Sequence, residues 1–417
     1  MMEKLVALIV PALTVLVLAG PALGESPLAK EARERGSLTE MLGPAPIENA
    51  SAEDLAAFEP IRMNCMKWKV RDPMRLATSG ESYFWSVGSR LTGTMNAYEY
   101  SRDPELLEAF SIYMDKVLAD RYVHPTQPDV WIGWYHYQQG PRPRYYMPIH
   151  GALVYYKPAL RFVAAVRADE KLKARYGEQA EKYFEDITQV EFRAWDKRDC
   201  WHDFGDGTGW YTKLKQYPDP VTEQLHPLVE TEAGTTLAYN KVHAMIEAFC
   251  LAYRMTGDAW YRERIEKCER FFRKRWREDA EHVEWNYRDF SGPWDYRTGE
   301  IPADYDGATY NEKPTWKGWF IHPKGGYYGG DLRAIVAVYN IGLVFTRADM
   351  EKLVKTNLEF MWNGETTDPQ FRGMGGIPNQ GALWHALSQF SPKVCELWRA
   401  EMDAFEQRKG KPSRATM

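Results

Sequence analysis

The sequence predicts an all-α chain: an (α/α)n toroid, or incomplete barrel, of helical hairpins whose long loops form a groove at one end. Three observations predict it. Residues 89–122, 157–189, 242–276 and 331–362 share one pattern, an apolar helix, a short turn holding an aspartate, and a more charged helix. That difference in polarity is what an inner helix shielded by an outer one requires. The connections between these units are rich in Gly, Pro and aromatic residues and exceed ordinary connection lengths, whereas strand signals are sparse.

The elements follow in order. Residues 1–24, MMEKLVALIVPALTVLVLAGPALG, carry Lys4, an apolar run over residues 5–18, and a small-x-small ending at Ala22, Leu23 and Gly24. This is the pattern of a secretory signal cleaved before Glu25, so the mature chain is expected in the periplasm or outside the cell. Residues 25–60 read as a polar arm with a short helix over 52–58. Residues 61–405 read as one toroid domain, with weaker helical segments over 75–98 and 378–405 and a short strand over 282–289. Residues 406–417 read as a frayed tail. In the hairpin turns Asp103, Asp169, Asp258 and Asp349 each precede the second helix. There a carboxylate accepts from free N–H groups at the positive end of the helix dipole.

Composition narrows the partners. The formal net charge is −5, and no Lys/Arg block appears before the last dozen residues, which argues against nucleic-acid binding. No segment after the leader is long and apolar enough to cross a bilayer. Five scattered cysteines are no disulfide framework. Buried free thiols are the expectation, with Cys250 and Cys268 within reach of each other across a hairpin. The 16 Trp, 25 Tyr and 17 Phe imply a large core. Many, however, fall in the loops 131–146, 199–211 and 314–330, where flat rings suit sugar stacking. Trp134, Trp201 and Tyr327 are the ring candidates for substrate binding; His150, His202, Arg144 and Lys324 are the polar ones. Arg offers a carboxylate the better bidentate geometry. For each of these a structural role stands beside the functional one.

The segment TLAYNKVHAMIEAFCLAYRMTGD (236–258) raises the chemistry. Asn240, His243 and Glu247 share one side of the helix, while Val242, Met245, Ile246 and Phe249 form the apolar side. Downstream, residues 281–300 are dense in Arg and Tyr: Tyr287, Arg288, Tyr296 and Arg297. The order Asn240, His243, Arg288, Tyr296 resembles the toroidal polysaccharide lyases that cleave uronic-acid polymers, the alginate and glucuronan lyases. The resemblance spans about residues 80–390. It departs from the family at one point, because two residues separate Asn240 from His243 where those lyases often set Asn beside His.

The resemblance implies a secreted lyase acting on an anionic polysaccharide by β-elimination. A uronate gives up its C5 proton only if its carboxylate is neutralised by donors, the part expected of Asn240 and Arg288. His243 is the expected base and Tyr296 the expected acid. Exchanged roles stay open, and Tyr287, Tyr305 and Tyr310 are rivals to Tyr296. The reaction calls for no cofactor. Residues 303–312 miss the register of a calcium loop, which leaves room only for a structural calcium of another type. Three alternatives remain: a toroidal glycoside hydrolase of the unsaturated uronyl type using Asp203, Asp206, Asp304 or Asp306, a sugar epimerase, and a non-catalytic glycan-binding toroid.

Overall fold

The computed structural model describes residues 51–71, 73, 80–137, 143–146, 155–219, 221–227, 236–278, 280–285, 287, 325–373 and 381–409. Its helices are α1 (Ala52–Met66), α2 (Gly80–Ser101), α3 (Pro104–Ala119), α4 (Lys157–Ala168), α5 (Glu170–Glu185) and α6 (Phe192–Lys197), then α7 (Tyr239–Thr256), α8 (Ala259–Arg273), α9 (Gly325–Asn340), α10 (Arg347–Lys355) and α11 (Pro392–Lys409). The four predicted hairpins are α2/α3, α4/α5, α7/α8 and α9/α10. The first helix of each is an inner one, and these pack side by side in chain order: α2 on α4, α4 on α7, α7 on α9. The outer helices α3, α5 and α8 each cover their own inner partner. The architecture is an α/α toroid, as the alternation of apolar and charged helices requires.

The turns show why the hairpins form. Asp103 accepts from the N–H of Glu105 at 2.9 Å, and Asp169 from those of Lys171 at 2.7 Å and Leu172 at 3.0 Å. Asp258 accepts from Trp260 at 2.9 Å. Each satisfies donors that the first helical turn leaves free. Asp349 differs from expectation. It lies inside α10, and Thr346 is the cap: the Thr346 hydroxyl accepts from the Asp349 N–H while the Asp349 carboxylate takes the Thr346 N–H at 2.8 Å. That reciprocal pair is a capping box. Gly257, at φ 69°, ends α7 with its N–H on Tyr253 O at 2.7 Å, a left-handed position that glycine fills without strain.

The connections contain five two-stranded antiparallel ribbons: Tyr122–Val123 with Ile132–Gly133, Tyr135–Tyr137 with Pro143–Tyr146, Trp201–Asp203 with Gly209–Tyr211, Gln216–Pro218 with Leu225–Pro227, and Arg277–Glu278 with Val283–Glu284. Four of them were not anticipated, and the expected strand over 282–289 is Val283–Glu284 alone among the described residues. Strands of two to four residues are too short to show an alternating pattern.

Other boundaries differ as well. The first helix runs past residue 60 to Met66, with Phe58 buried 5.1 Å from the Tyr100 ring, so the described end of the expected arm, from residue 51, packs onto the helices. The last helix reaches Lys409, into the expected tail. The proposed leader lies outside the described residues. Among the described residues no helix is long and apolar enough to cross a membrane. All five cysteines are free, and Cys65, Cys200, Cys250 and Cys268 are buried, where they pack as small apolar groups.

Candidate functional site

The inner helix α7 sorts its polar residues onto two faces. His243 turns toward the outer helix. Its ring is fully buried, 4.5 Å from that of Phe272; Nδ1 meets Asp331 Oδ1 at 2.6 Å, and Nε2 stands 3.5 Å from Glu269 Oε1. Trp285 Nε1 donates to the other oxygen of Asp331 at 2.9 Å. Burial alone would lower the pKa of His243, but Glu269 and Asp331 overcome it and raise it to about 10. A sealed imidazolium cannot take a proton from a substrate. The base role expected of His243 is therefore corrected: it is a buried cation that joins α7, α8 and α9. Helical spacing missed this because residues 240 and 243 differ by about 60° around the helix, enough to put one on the axis and the other in the core.

Glu247 turns toward the axis instead. There a cavity of about 320 Å³ is lined by residues of all four inner helices: Glu99 of α2, Lys157 and Arg161 of α4, Glu247 and Arg254 of α7, and Arg333 of α9. One cavity bounded by all four helices lies on the axis of the ring. Arg161 holds Glu99 with two donors, Nε at 2.8 Å and Nη2 at 2.6 Å, and Nη2 also meets Asn96 Oδ1 at 2.8 Å. Glu247 receives Arg333 Nε at 3.2 Å on one oxygen and the Lys157 ammonium on the other. Four cations face two carboxylates, so with every group in its usual state the lining carries a formal charge of +2. Burial, with Arg333 and Arg161 adding to it, pushes the Lys157 pKa well below the usual lysine value. Glu99 opposes that shift, as does the ionic contact with Glu247. The Lys157 side chain is 32% exposed and lines the cavity.

At the N-terminal rim of α7 and α9 the structure gathers three further residues. Asn240 is buried, and its Oδ1 has no hydrogen-bond donor among the described residues. Gly330 of α9 faces it closely: a Cβ at Gly330 would stand 3.9 Å from Asn240 Cβ and 3.7 Å from an Arg333 nitrogen. The Tyr287 carbonyl accepts from the Tyr239 N–H at 3.1 Å, and the Tyr287 ring lies 5.5 Å from that of Tyr327. Asn240, Tyr287 and Tyr327 thus lie near the starts of α7 and α9, outside the residues that line the cavity.

The remaining predicted contacts separate. Trp134 is a core residue, 3% exposed, with Nε1 on Val117 O at 3.1 Å; its sugar-binding role is corrected. Trp201 is half-buried under the Arg264 guanidinium at 4.0 Å, and a Cβ on Gly209 would stand 2.5 Å from its ring. With its faces taken, Trp201 is no sugar platform either. The His202 ring lies tilted against that of Phe204, centroids 4.8 Å apart, and burial and Lys215 lower its pKa. Of the aspartates expected in a hydrolase, Asp203 pairs with Lys267 of α8 and Asp206 with Lys274 just past its end, and neither lines the axial cavity; Lys274 and Thr208 bring Asp206 to about 2. Both pairings hold the carboxylate ionised, the opposite of what a general acid needs. Arg288, Tyr296, Tyr305, Tyr310, His150, Lys324, Asp304 and Asp306 lie outside the described residues, as does the side chain of Arg144. Among the described residues no group of three or more His, Cys, Asp or Glu is placed to hold a metal ion.

Sequence reasoning missed Lys157, Arg161, Arg254 and Arg333. The available signal was a charged residue recurring on the otherwise apolar inner helices, at 157 and 161 and at 247 and 254, spacings of four and seven that share a face.

No family model matches the chain, and neither does any curated protein. Among solved structures it is similar to a glycoside hydrolase family 76 mannosidase of Bacteroides thetaiotaomicron. The identity is 11%, with 91% of this chain and 88% of that one covered and a TM-score of 0.44.

Proposed function

We propose that the protein is a carbohydrate-active enzyme that binds an acidic sugar in the axial cavity and cleaves a polyuronate by β-elimination. The observation that supports it is the cationic lining: Lys157, Arg161, Arg254 and Arg333 against Glu99 and Glu247. A uronate carboxylate resists loss of the C5 proton because its own charge opposes the carbanion. Fixed cations in a partly desolvated cavity offset that charge, and they do so most as it develops in the transition state. The volume, about 320 Å³, is at the small end of ligand pockets and suits one sugar unit. The apolar run and small-x-small end of residues 1–24 support export, which places the enzyme where such polymers are met.

A hydrolase on the same axis is the second reading, since Glu99 and Glu247 both line the cavity. Hydrolysis needs one carboxyl that presents a hydrogen to the glycosidic oxygen. Glu247 is held by Lys157 and Arg333, and Glu99 by both arms of Arg161, which favours elimination. Incubation with glucuronan, alginate and pectate, followed by ultraviolet absorbance, tests the choice. The expected result is the absorbance of a conjugated C4=C5 bond. New reducing ends without that absorbance would replace the lyase reading with the hydrolase, and neither signal would leave a binding protein.

A further inference from the structure

Among the four cations of the axial cavity, Lys157 is the one with a reachable neutral form; a guanidinium keeps its proton. Lys157 begins α4, and Arg161 lies one turn on, along the same face. Its Nζ rests on one oxygen of Glu247, whose other oxygen is fixed by Arg333, so the carboxylate aims the amine from two anchors. The groups facing it are Glu247 and Arg254 from α7, Arg333 from α9, Glu99 from α2 and Arg161 from its own helix.

We infer that Lys157 is the catalytic base that removes the C5 proton of a uronate bound in this cavity, with Glu247 as its positioning residue. The inference rests on the lyase reading. Charge balance supports it independently. The lining carries +2 with Lys157 protonated and +1 with it neutral, and one bound carboxylate then brings the site to zero. Burial and the two neighbouring arginines already push the amine in that direction.

The step balances within the site. The neutral amine takes the hydrogen from C5, the C–H electron pair becomes the C4=C5 π bond, and the C4–O4 bond breaks with its pair on O4. The resulting ammonium returns the proton to O4, so no co-reactant is needed. One group can perform both transfers only where the C5 hydrogen and the C4 oxygen share a face of the ring. That holds in glucuronate and mannuronate, and not in guluronate or galacturonate. Glucuronan and polymannuronate are therefore the expected substrates, with polyguluronate and pectate slower by at least about tenfold.

Lys157→Arg keeps the charge and the contact with Glu247 while removing the neutral form. It should lower kcat by about 10²- to 10⁴-fold and leave KM, and calorimetric binding of a glucuronan oligosaccharide, within about threefold. Lys157→Met serves as the second variant, its fold checked by circular dichroism, and should show the same loss of turnover. The Lys157 side chain, followed by carbon-13 resonance and assigned by its disappearance in Lys157→Arg, should titrate below free lysine in the wild-type protein. Turnover retained within about threefold in Lys157→Arg, or titration at or above the free-lysine value, overturns the assignment. A wild-type protein that produces no conjugated product sinks the lyase reading instead, and the titration still decides whether Lys157 has a base's character.

Discussion

His243 lies between Asp331 and Glu269 with no exposed surface. Two carboxylates on one imidazole make its cation part of the folded state. Its folded pKa of about 10 exceeds the usual value of 6.5. Its contribution to stability is therefore complete below about pH 6.5 and declines as pH rises toward 10. Lys157 acts in the opposite sense, since its pKa is lowered on folding, so the two must be separated by difference. His243→Gln should cost on the order of 3–5 kcal/mol near neutral pH, because it strands buried carboxylates. The gap from wild type should narrow as pH rises from about 7 to 9. Denaturant titrations of both proteins across that range measure it, and a gap that widens with pH would contradict the buried imidazolium. At this scale the sequence revealed residue types more readily than roles. It singled out an Asn, a His and a Glu on one helix, yet which of them meets the axis depends on a rotation of about 60°, and local sequence does not fix how a helix is rotated in its seat.

The helical hairpins are where sequence and structure agree most closely. Inner and outer helices differ in polarity, and three of four turn aspartates cap the helix that follows. Asp169→Ala, which frees two backbone donors of α5, should cost about 1 kcal/mol. Asp349→Ala should cost more, since Asp349 serves the capping box with Thr346 and also meets Arg273 of α8 at 3.0 Å. Urea unfolding of both variants tests the order, and an equal loss would reduce Asp349 to an ordinary cap. Other elements left little trace in the sequence. The two wide helical turns, Asp186–Glu191 after α5 and Thr356–Met361 after α10, carry no local signature. Their reason is tertiary. Glu191 is turned inward to accept from Tyr155 at 2.8 Å, Tyr156 at 2.7 Å and Arg121 at 2.9 Å, while Asn357 takes the N–H of Trp384 at 2.9 Å. The loop tryptophans follow the same logic. Trp134 looked like a sugar platform because its loop is rich in glycine and proline, but it stands between two ribbons and is buried, its Nε1 on Val117 O of α3.

Across the whole molecule the charge distribution opposes its total. The chain carries −5, whereas the cavity lining is positive, +2 with Lys157 protonated and +1 with it neutral. Attraction of an acidic polymer to that axis should weaken with salt, because screening acts over about 10 Å at 0.1 M. KM for the cleaved polyuronate should therefore rise with ionic strength. Arg254→Glu makes the lining two charges more negative, and should raise KM by about tenfold or more. Steady-state kinetics at low and high salt would show both effects, and a KM that ignores salt and this substitution would remove the cavity from substrate binding.

Read alone, the sequence determined the class and the repeating unit: alternating apolar and charged helices joined by capped turns. Those properties are local, set by helical period and by side chains that satisfy nearby backbone groups. The identity of the axial site was decided by tertiary structure alone. Lys157, Arg161, Glu247, Arg254 and Arg333 come from three helices far apart in the chain, and only the side-by-side packing of the inner helices sets their charges against one another in a shared cavity.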